Sequence, residues 1–221
     1  MIKHDVVQRS EAWHLLRSRK IGGSDAIHIQ ISGKRETVGR RDARNRLALA
    51  RLGVLPVAEP VFVSEAMERG IRLEHEALHA WEVQSGRMVE AVGYLESEAF
   101  EDTGCSPDGM CGTTLIEVKC AKPSLHWQYM QGFKSESGIS KIPKIYQPQI
   151  LHSALVSHCQ TVEFVSYCPA FVPGAILGVA SIPRAEIEGE VGTYAKQLAR
   201  FLAEVARECQ AITLSVNDPN I

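Results

Sequence analysis

Alternating side-chain types mark residues 115–120 as a β-strand. The alternation places Glu117 and Lys119 on one face of the strand and the apolar residues Ile116 and Val118 on the other. An acidic and a basic side chain therefore lie side by side on one face of a predicted sheet. Three further segments are predicted to be strands: residues 88–96, 161–168 and 175–182.

Apolar residues spaced three and four apart predict helices along the rest of the chain. Ser10 can cap a helix over residues 11–19, and a long helix covers residues 64–85 and is closed by Gly86. Pro148 is compatible with its predicted helix only in the first turn. The other predicted helices cover residues 24–31, 40–52, 123–133, 143–159 and 183–209. This order predicts an α/β protein with a central mixed β-sheet flanked by helices, built as a single domain over residues 1–221.

A hairpin is predicted to bring Asp108 to the same strand. Asp108 lies nine positions before Glu117, and Gly112 between them gives the chain room to turn back. Asp108 would then lie beside Glu117 and Lys119. Two hard oxygen ligands and a lysine at the end of a sheet suit a site for Mg²⁺ and a phosphate. The alternative is an ordinary turn followed by a solvated strand face.

Glu74 adds a third carboxylate. It lies three, four and seven residues before Ala77, Leu78 and Trp81, and so shares the apolar face of its helix. A buried carboxylate needs a partner, because an unpaired buried charge is costly. A metal ion, a metal-bound water or an arginine would each serve.

The glycine pair Gly22-Gly23 precedes a possible anion site. The backbone N–H groups and the hydroxyl of Ser24 at the start of the following short helix can bind an anion. Arg17 lies one turn before the glycines and can close over the same anion. The alternative is that these residues only cap the short helix and bind no anion.

Positive charge is concentrated in one segment of a chain whose net charge is −2. Residues 34–51 contain two acidic residues, Glu36 and Asp42, against seven basic ones. The basic residues are Lys34, Arg35, Arg40, Arg41, Arg44, Arg46 and Arg51. Such a segment can bind phosphates locally, and it can equally be a solvated helix face.

The remaining composition narrows the class of protein. The six cysteines form no C-x-x-C pair, which argues against a structural zinc or an iron–sulfur cluster. No apolar run approaches the roughly 20 residues that span a bilayer, so no membrane contact is expected. The first residues lack a hydrophobic signal segment, and we expect a cytoplasmic location.

Six short motifs, taken together and in order, resemble one family. The motifs are AWHLLR ending at Arg17, IGGS ending at Ser24, RGIRLE ending at Glu74, CSPDGMC around Asp108, IEVKC around Lys119 and YQPQ ending at Gln149. The chain resembles the nucleases whose signature is Pro-Asp, then Asp or Glu, one residue and Lys. Among them it is most similar to the phage lambda exonuclease (YqaJ-like viral recombinase) family, over roughly residues 10–170.

The resemblance implies a restriction-endonuclease-like core and a metal-dependent exonuclease. Such an enzyme digests one strand of double-stranded DNA ends from 5′ to 3′ and leaves 3′ single-stranded overhangs for recombination. It also implies a ring-shaped homotrimer, a single-strand annealing protein as partner, and a phage or prophage origin in the cytoplasm of a bacterial host. The implied cofactor is Mg²⁺, two ions per site, with Mn²⁺ as a substitute.

The resemblance also implies roles for individual residues. Asp108, Glu117 and the backbone carbonyl of Val118 would bind metal, and Glu74 would do so through water. Lys119 would position or deprotonate the attacking water, and Gln149 would orient it. Arg17, Ser24 and Ser106 would form a pocket for the 5′ phosphate. Met67 would be an apolar wedge that helps to separate the strands. The residues that would contact the DNA backbone are Lys34, Arg35, Arg40 and Arg41.

Some positions depart from the family pattern, and two other functions stay open. Ala121 and Lys122 stand between Cys120 and Pro123, where the family usually has proline directly after the cysteine. An endonuclease could use the same core. A catalytically inactive module that binds DNA ends is the alternative outside enzymes, and the intact carboxylate and lysine set argues against it.

Overall fold

Two β-sheets form the centre of the computed structural model, which describes residues 1–30, 36–54 and 64–216. In a three-stranded antiparallel sheet, β2 pairs with both neighbours; its strands are β1 (Ile2–His4), β2 (Tyr94–Glu96) and β3 (Gly104–Cys105). The strands of a four-stranded sheet, in spatial order, are β4 (Gly109–Cys111), β5 (Thr114–Cys120), β6 (Thr161–Tyr167) and β7 (Leu177–Pro183). Strands β5 and β6 are parallel and the other pairs are antiparallel, so the predicted mixed sheet is confirmed.

Helices make up most of the remaining structure. In the described residues they are α1 (Glu11–Arg17), α2 (Ala26–Ile29), α3 (Val38–Arg51), α4 (Glu65–Ser85), α5 (Pro123–Ser135), α6 (Gln147–Ser157) and α7 (Glu188–Val216). The predicted caps are confirmed, since Ser10 accepts a hydrogen bond from the Trp13 N–H and Gly86 adopts a φ of 67° after α4. Pro148 lies in the first turn of α6, where its missing N–H costs little.

The alternation of β5 divides the core in two. Leu115 packs in a cluster with residues of α3, α6 and α7, whereas Ile116 and Val118 pack with Ala77 and Trp81 of α4. The side of β5 that carries Glu117 therefore faces α6, and the other side faces α4. This arrangement fixes the positions of the charged residues at the end of the strand.

Several predicted elements are shorter or shifted. The strand predicted over residues 88–96 is confined to β2, with Glu90 and Met110 forming an isolated bridge before it. Met88 is 77% exposed, so the pattern is not buried at its start, whereas Val92, Tyr94 and Leu95 further along it belong to the core. The helix predicted over residues 24–31 is a single 3₁₀ turn (Gly23–Asp25) followed by the short α2. No helix in the described ranges is long and apolar enough to span a bilayer.

Candidate functional site

The predicted hairpin brings Asp108 to β5. Strands β4 and β5 pair with Gly109 opposite Ile116, and Gly112 takes a φ of 58° in the turn between them, a conformation that favours glycine. Continuing this register places Asp108 opposite Glu117. The Asp108 carboxylate accepts a hydrogen bond of 2.6 Å from the backbone N–H of Val118. The first carboxylate is thus tied to the strand that carries the second.

Glu117 is the centre of a buried cluster. Its side chain is 2% exposed, and Oε1 accepts hydrogen bonds of 2.5 Å from both Lys119 Nζ and Gln149 Nε2. The Lys119 ammonium also lies 5.1 Å from the centre of the Tyr146 ring. Lys119 of β5 and Gln149 of α6, which belong to two separate sequence motifs, therefore meet at one carboxylate oxygen.

The electrostatics of this cluster follow from two neighbouring carboxylates in a buried place. Burial, and next the charge of Glu117, raise the pKa of Asp108 from its ordinary 3.8 to about 8, although Lys119 opposes the shift. Burial alone would lower the pKa of Lys119, but Glu117 and Asp108 outweigh it and raise that pKa. Lys119 is thus held as an ammonium ion, and Asp108 keeps its proton near neutral pH in the metal-free protein.

Glu74 faces the same cleft from α4, and its partner is an arginine. Arg9 Nη2 lies 2.5 Å from Glu74 Oε2, which fulfils one of the three partners expected for this carboxylate. Glu74, Arg9, Asp108 and Lys119 all line a cleft of about 450 Å³. The sequence did not single out Arg9; its position directly before the Ser10 cap was the one available signal.

The carboxylates are the type of ligand that a divalent cation takes, but in this structure they form hydrogen bonds with protein groups. Within the part of the chain that the structure describes, no group of three or more His, Cys, Asp or Glu side chains is arranged to hold a metal ion. In each of Asp108, Glu117 and Glu74, one carboxylate oxygen accepts the hydrogen bonds described above. Hard carboxylate oxygens are the donors that Mg²⁺ prefers. The metal site stays a prediction.

Arg17, Ser24 and Ser106 lie close together, as expected for one pocket. Arg17 Nη1 donates to Ser106 Oγ at 3.3 Å, and its guanidinium lies 4.1 Å from the centre of the Trp13 ring. A Cβ on Gly22 would lie 3.6 Å from Arg17 Nη2 and 4.0 Å from Ser24 Oγ, so both groups approach the same point. Burial lowers the pKa of Arg17.

The helix dipole contributes less to this pocket than the sequence suggested. The Gly22 N–H donates to the Asp25 carboxylate at 2.9 Å, so capping is provided by Asp25 rather than by Ser24. The following helical segments are three and four residues long. An anion here would rest mainly on side chains, because short helices have weak dipoles. The pocket is close to the carboxylate cluster, since a Cβ on Gly23 would lie 3.2 Å from Gln149 Cγ.

Most arginines of the basic segment form ion pairs with acidic residues of the protein itself. Arg40 is 4% exposed, donates to the Ile29 carbonyl at 2.5 Å and pairs with Glu204 at 2.7 Å, so its donors are directed into the protein, and its contact with DNA stays a prediction. Arg41 is exposed, with Asp42 at 3.6 Å. Lys34 and Arg35 lie outside the described residues. Other basic residues of the segment also pair with acids, namely Arg44 with Glu36 and Glu208, Arg46 with Asp25, and Arg51 with Asp102.

Apolar and aromatic side chains form the rest of the cleft wall. Met67, the predicted wedge, is 47% exposed on α4 and lines the cleft together with Ile71, one turn further on. Leu125, Tyr129 and Tyr146 also line it. The position of Met67 at the cleft is compatible with a wedge, which stays a prediction.

Comparisons with solved structures establish the fold. The chain is similar to an alkaline exonuclease (LHK-Exo) from Laribacter hongkongensis, with a TM-score of 0.79, 24% identity, and coverage of 94% of this chain and 98% of that one. A structure of LHK-Exo in complex with dAMP gives a TM-score of 0.76 at 25% identity, with the same coverage. A phage-related exonuclease from Haemophilus somnus 129PT gives a TM-score of 0.54 at 15% identity, covering 84% of this chain and 96% of that one.

Sequence comparison identifies the family. No curated protein matches the chain. Residues 12–160, more than half of the chain, match the YqaJ-like viral recombinase domain. This range contains all six motifs and the carboxylate cluster, and the resemblance seen in the sequence is confirmed. The chain belongs to the YqaJ-like viral recombinase domain family.

Proposed function

We propose that this protein is a metal-dependent exonuclease. It would digest one strand of linear double-stranded DNA from 5′ to 3′ and leave a 3′ overhang for recombination by strand annealing. The observation that carries the proposal is the cluster of Asp108, Glu117, Lys119 and Gln149 beside the cleft. The family, and the exonucleases that share the fold, support it.

The carboxylates are the proposed metal ligands. Asp108, Glu117 and the Val118 carbonyl would hold Mg²⁺, with Mn²⁺ as a substitute, and Glu74 would contribute through water. Two such ions would supply a water that is nucleophilic near neutral pH and would neutralise the charge on the leaving 3′ oxygen. Burial and the neighbouring charge of Glu117 raise the pKa of Asp108, so a cation bound at this place would stabilise its ionised form.

Lys119 and Gln149 would act on the scissile phosphate and the attacking water. Because its pKa is raised, Lys119 is an ammonium ion that can stabilise the negative charge developing in the transition state. This holds for the metal-free site; metal ions bound by Asp108 and Glu117 would lower that pKa, and the role of general base then stays an alternative. The Gln149 amide reaches the same carboxylate oxygen as Lys119, and from there it can orient a water molecule.

The 5′ end of the DNA strand would be held in the pocket next to this cluster. Arg17 has five N–H donors, and the bond to Ser106 uses one of them, so the guanidinium can still bind a terminal phosphate. Ser24 and Ser106 would complete that pocket, and Met67 would help to separate the strands. Of the four basic residues first considered for the duplex, Arg41 is exposed.

The quaternary arrangement is likewise a proposal that rests on the family. A homotrimeric ring with DNA in its channel would explain processive digestion. An annealing protein would receive the 3′ strand, in a bacterial cytoplasm and under phage or prophage control. Sedimentation velocity of the purified protein would measure the number of subunits.

A comparison of linear and covalently closed circular duplex DNA tests the proposed function. With Mg²⁺, the linear duplex should be digested and the circle spared, and EDTA should stop digestion. Lys119→Ala should bind the duplex without digesting it. Cleavage of the circle would instead indicate an endonuclease, and binding without digestion by the wild type would indicate an inactive end-binding module.

A further inference from the structure

Arg9 is a second arginine at the cleft, and the motifs do not include it. Its guanidinium contacts Glu74, and its side chain is 44% exposed at the rim of the cavity that contains Asp108 and Lys119. The other arginine that lines the cleft, Arg69, donates to the Cys120 carbonyl at 3.0 Å. Arg9 therefore presents more of its donors to the cleft than Arg69 does.

The backbone of Arg9 is strained. Its φ of 67° lies in the left-handed region, which residues other than glycine adopt rarely and at a cost of about 1–3 kcal/mol. Both neighbours hold it there. The Gln8 side chain donates to the carbonyls of Val92 (2.8 Å) and Pro107 (2.9 Å), and Ser10 caps α1. Because Pro107 directly precedes Asp108, the same bonds fix Arg9 relative to the carboxylate cluster.

The ion pair with Glu74 does not account for this strain. Exposed pairs contribute about 0–1 kcal/mol, and the two side chains are 44% and 23% exposed. A strained residue that is held firmly and points its charge into a cleft is typical of a binding site. The cleft also needs positive charge, because the carboxylates of Glu117 and Glu74 would repel a DNA phosphate.

We propose that Arg9 binds a backbone phosphate of the DNA strand that enters the cleft, while it keeps its contact with Glu74. A guanidinium fork can bind a carboxylate and a phosphate at once, since it carries five N–H donors. This inference rests on the proposed function. It adds a substrate-binding residue to the catalytic cluster and the 5′-phosphate pocket.

Salt-dependent binding of a fluorescent duplex in EDTA tests the role of Arg9 without any turnover. A residue that neutralises one phosphate contributes about 0.9 to the slope of log K against log[salt]. Arg9→Gly removes the charge and relieves the φ strain, and Arg9→Gln removes the charge at the same φ. Both should reduce the slope by about 0.9, and Arg9→Lys should retain it. The control is Arg200→Gln, which removes an arginine 69% exposed on α7 and paired with Glu204, and should leave the slope unchanged.

Kinetics and stability complete the test. With Mg²⁺, Arg9→Gly should raise KM more than it lowers kcat, while its thermal stability equals or exceeds that of the wild type. An unchanged salt slope in both uncharged variants, with a wild type that binds and digests duplex DNA, would overturn the role of Arg9 and leave the proposed function intact. A wild type that neither binds nor digests the duplex would overturn both.

Discussion

Asp108→Asn should stabilise the metal-free protein although it removes a proposed metal ligand. The aspartate is partly buried beside Glu117, and its pKa is raised from 3.8 to about 8. The folded protein therefore holds a proton on Asp108 that the unfolded chain has released at pH 7. Asparagine carries no ionisable group, and its side-chain oxygen can still accept the bond from the Val118 N–H.

The magnitude follows from proton linkage. Between the ordinary pKa of 3.8 and pH 7 lie about three pH units, and each costs about 1.4 kcal/mol, which gives an upper limit of about 4 kcal/mol at pH 7. Placing the amide N–H groups of asparagine in the same site costs about 1–3 kcal/mol. We therefore expect a net gain of about 1–3 kcal/mol at pH 7. The gain should shrink as the pH falls towards 4, because a folded-state pKa that is raised for an acid lowers stability only above the unfolded pKa.

Urea unfolding in EDTA at pH 5, 6 and 7 measures this difference. Asp42→Asn is a matched control, since that carboxylate is 63% exposed, and its stability should stay within about 0.5 kcal/mol of the wild type. Saturating Mg²⁺ should then stabilise the wild type, by about 2.7 kcal/mol at a hundred times Kd, and should not stabilise Asp108→Asn. A destabilised Asp108→Asn in EDTA, or a gain that is constant with pH, would refute the reasoning.

Three further predictions concern single side chains. Lys119→Ala should keep duplex binding and lose cleavage by about a hundredfold or more, as expected for a lost electrostatic contact in the transition state, and wild-type turnover would remove Lys119 from the mechanism. Arg17→Ala should slow digestion of 5′-phosphorylated ends about tenfold more than that of 5′-hydroxyl ends, and equal slowing would count against a phosphate pocket. Burial lowers the pKa of His152 below its ordinary 6.5, so this histidine should cost up to about 1.4 kcal/mol of stability per unit as the pH drops below 6.5, a dependence measured in the Asp108→Asn background, where the opposite contribution of Asp108 is absent. His152→Gln should flatten this dependence, whereas His79→Gln, at a 70% exposed position, should not; identical urea titrations for the two variants would disprove it.

The parts of the fold that local chemistry specifies were predictable. Helix α4 begins after Ser64 and is closed by Gly86, because a hydroxyl cap and a left-handed glycine act within one turn. The hairpin of β4 and β5 followed from period-two alternation and Gly112. This is why Asp108, Glu117 and Lys119 could be placed together from the sequence.

Features that depend on distant contacts were not predictable. Strands β1 and β3 contain three and two residues, too few to show a period, and exist because both pair with β2. Arg40 reads as an exposed basic residue until α7 supplies Glu204 as its partner. Arg9 reaches the cleft because Gln8 bonds to backbone carbonyls more than 80 residues away in sequence.

Timed digestion of a linear duplex with a single 5′ phosphate tests the central claim most directly. Both strands would carry a label at the 3′ end, and the reaction would be followed with Mg²⁺, with EDTA and with Asp108→Asn. We predict that the phosphorylated strand shortens progressively from its 5′ end in Mg²⁺ alone, while the other strand stays intact. Loss of the 3′ label first, or equal digestion in EDTA or by Asp108→Asn, would contradict a metal-dependent 5′-to-3′ exonuclease that uses this cleft.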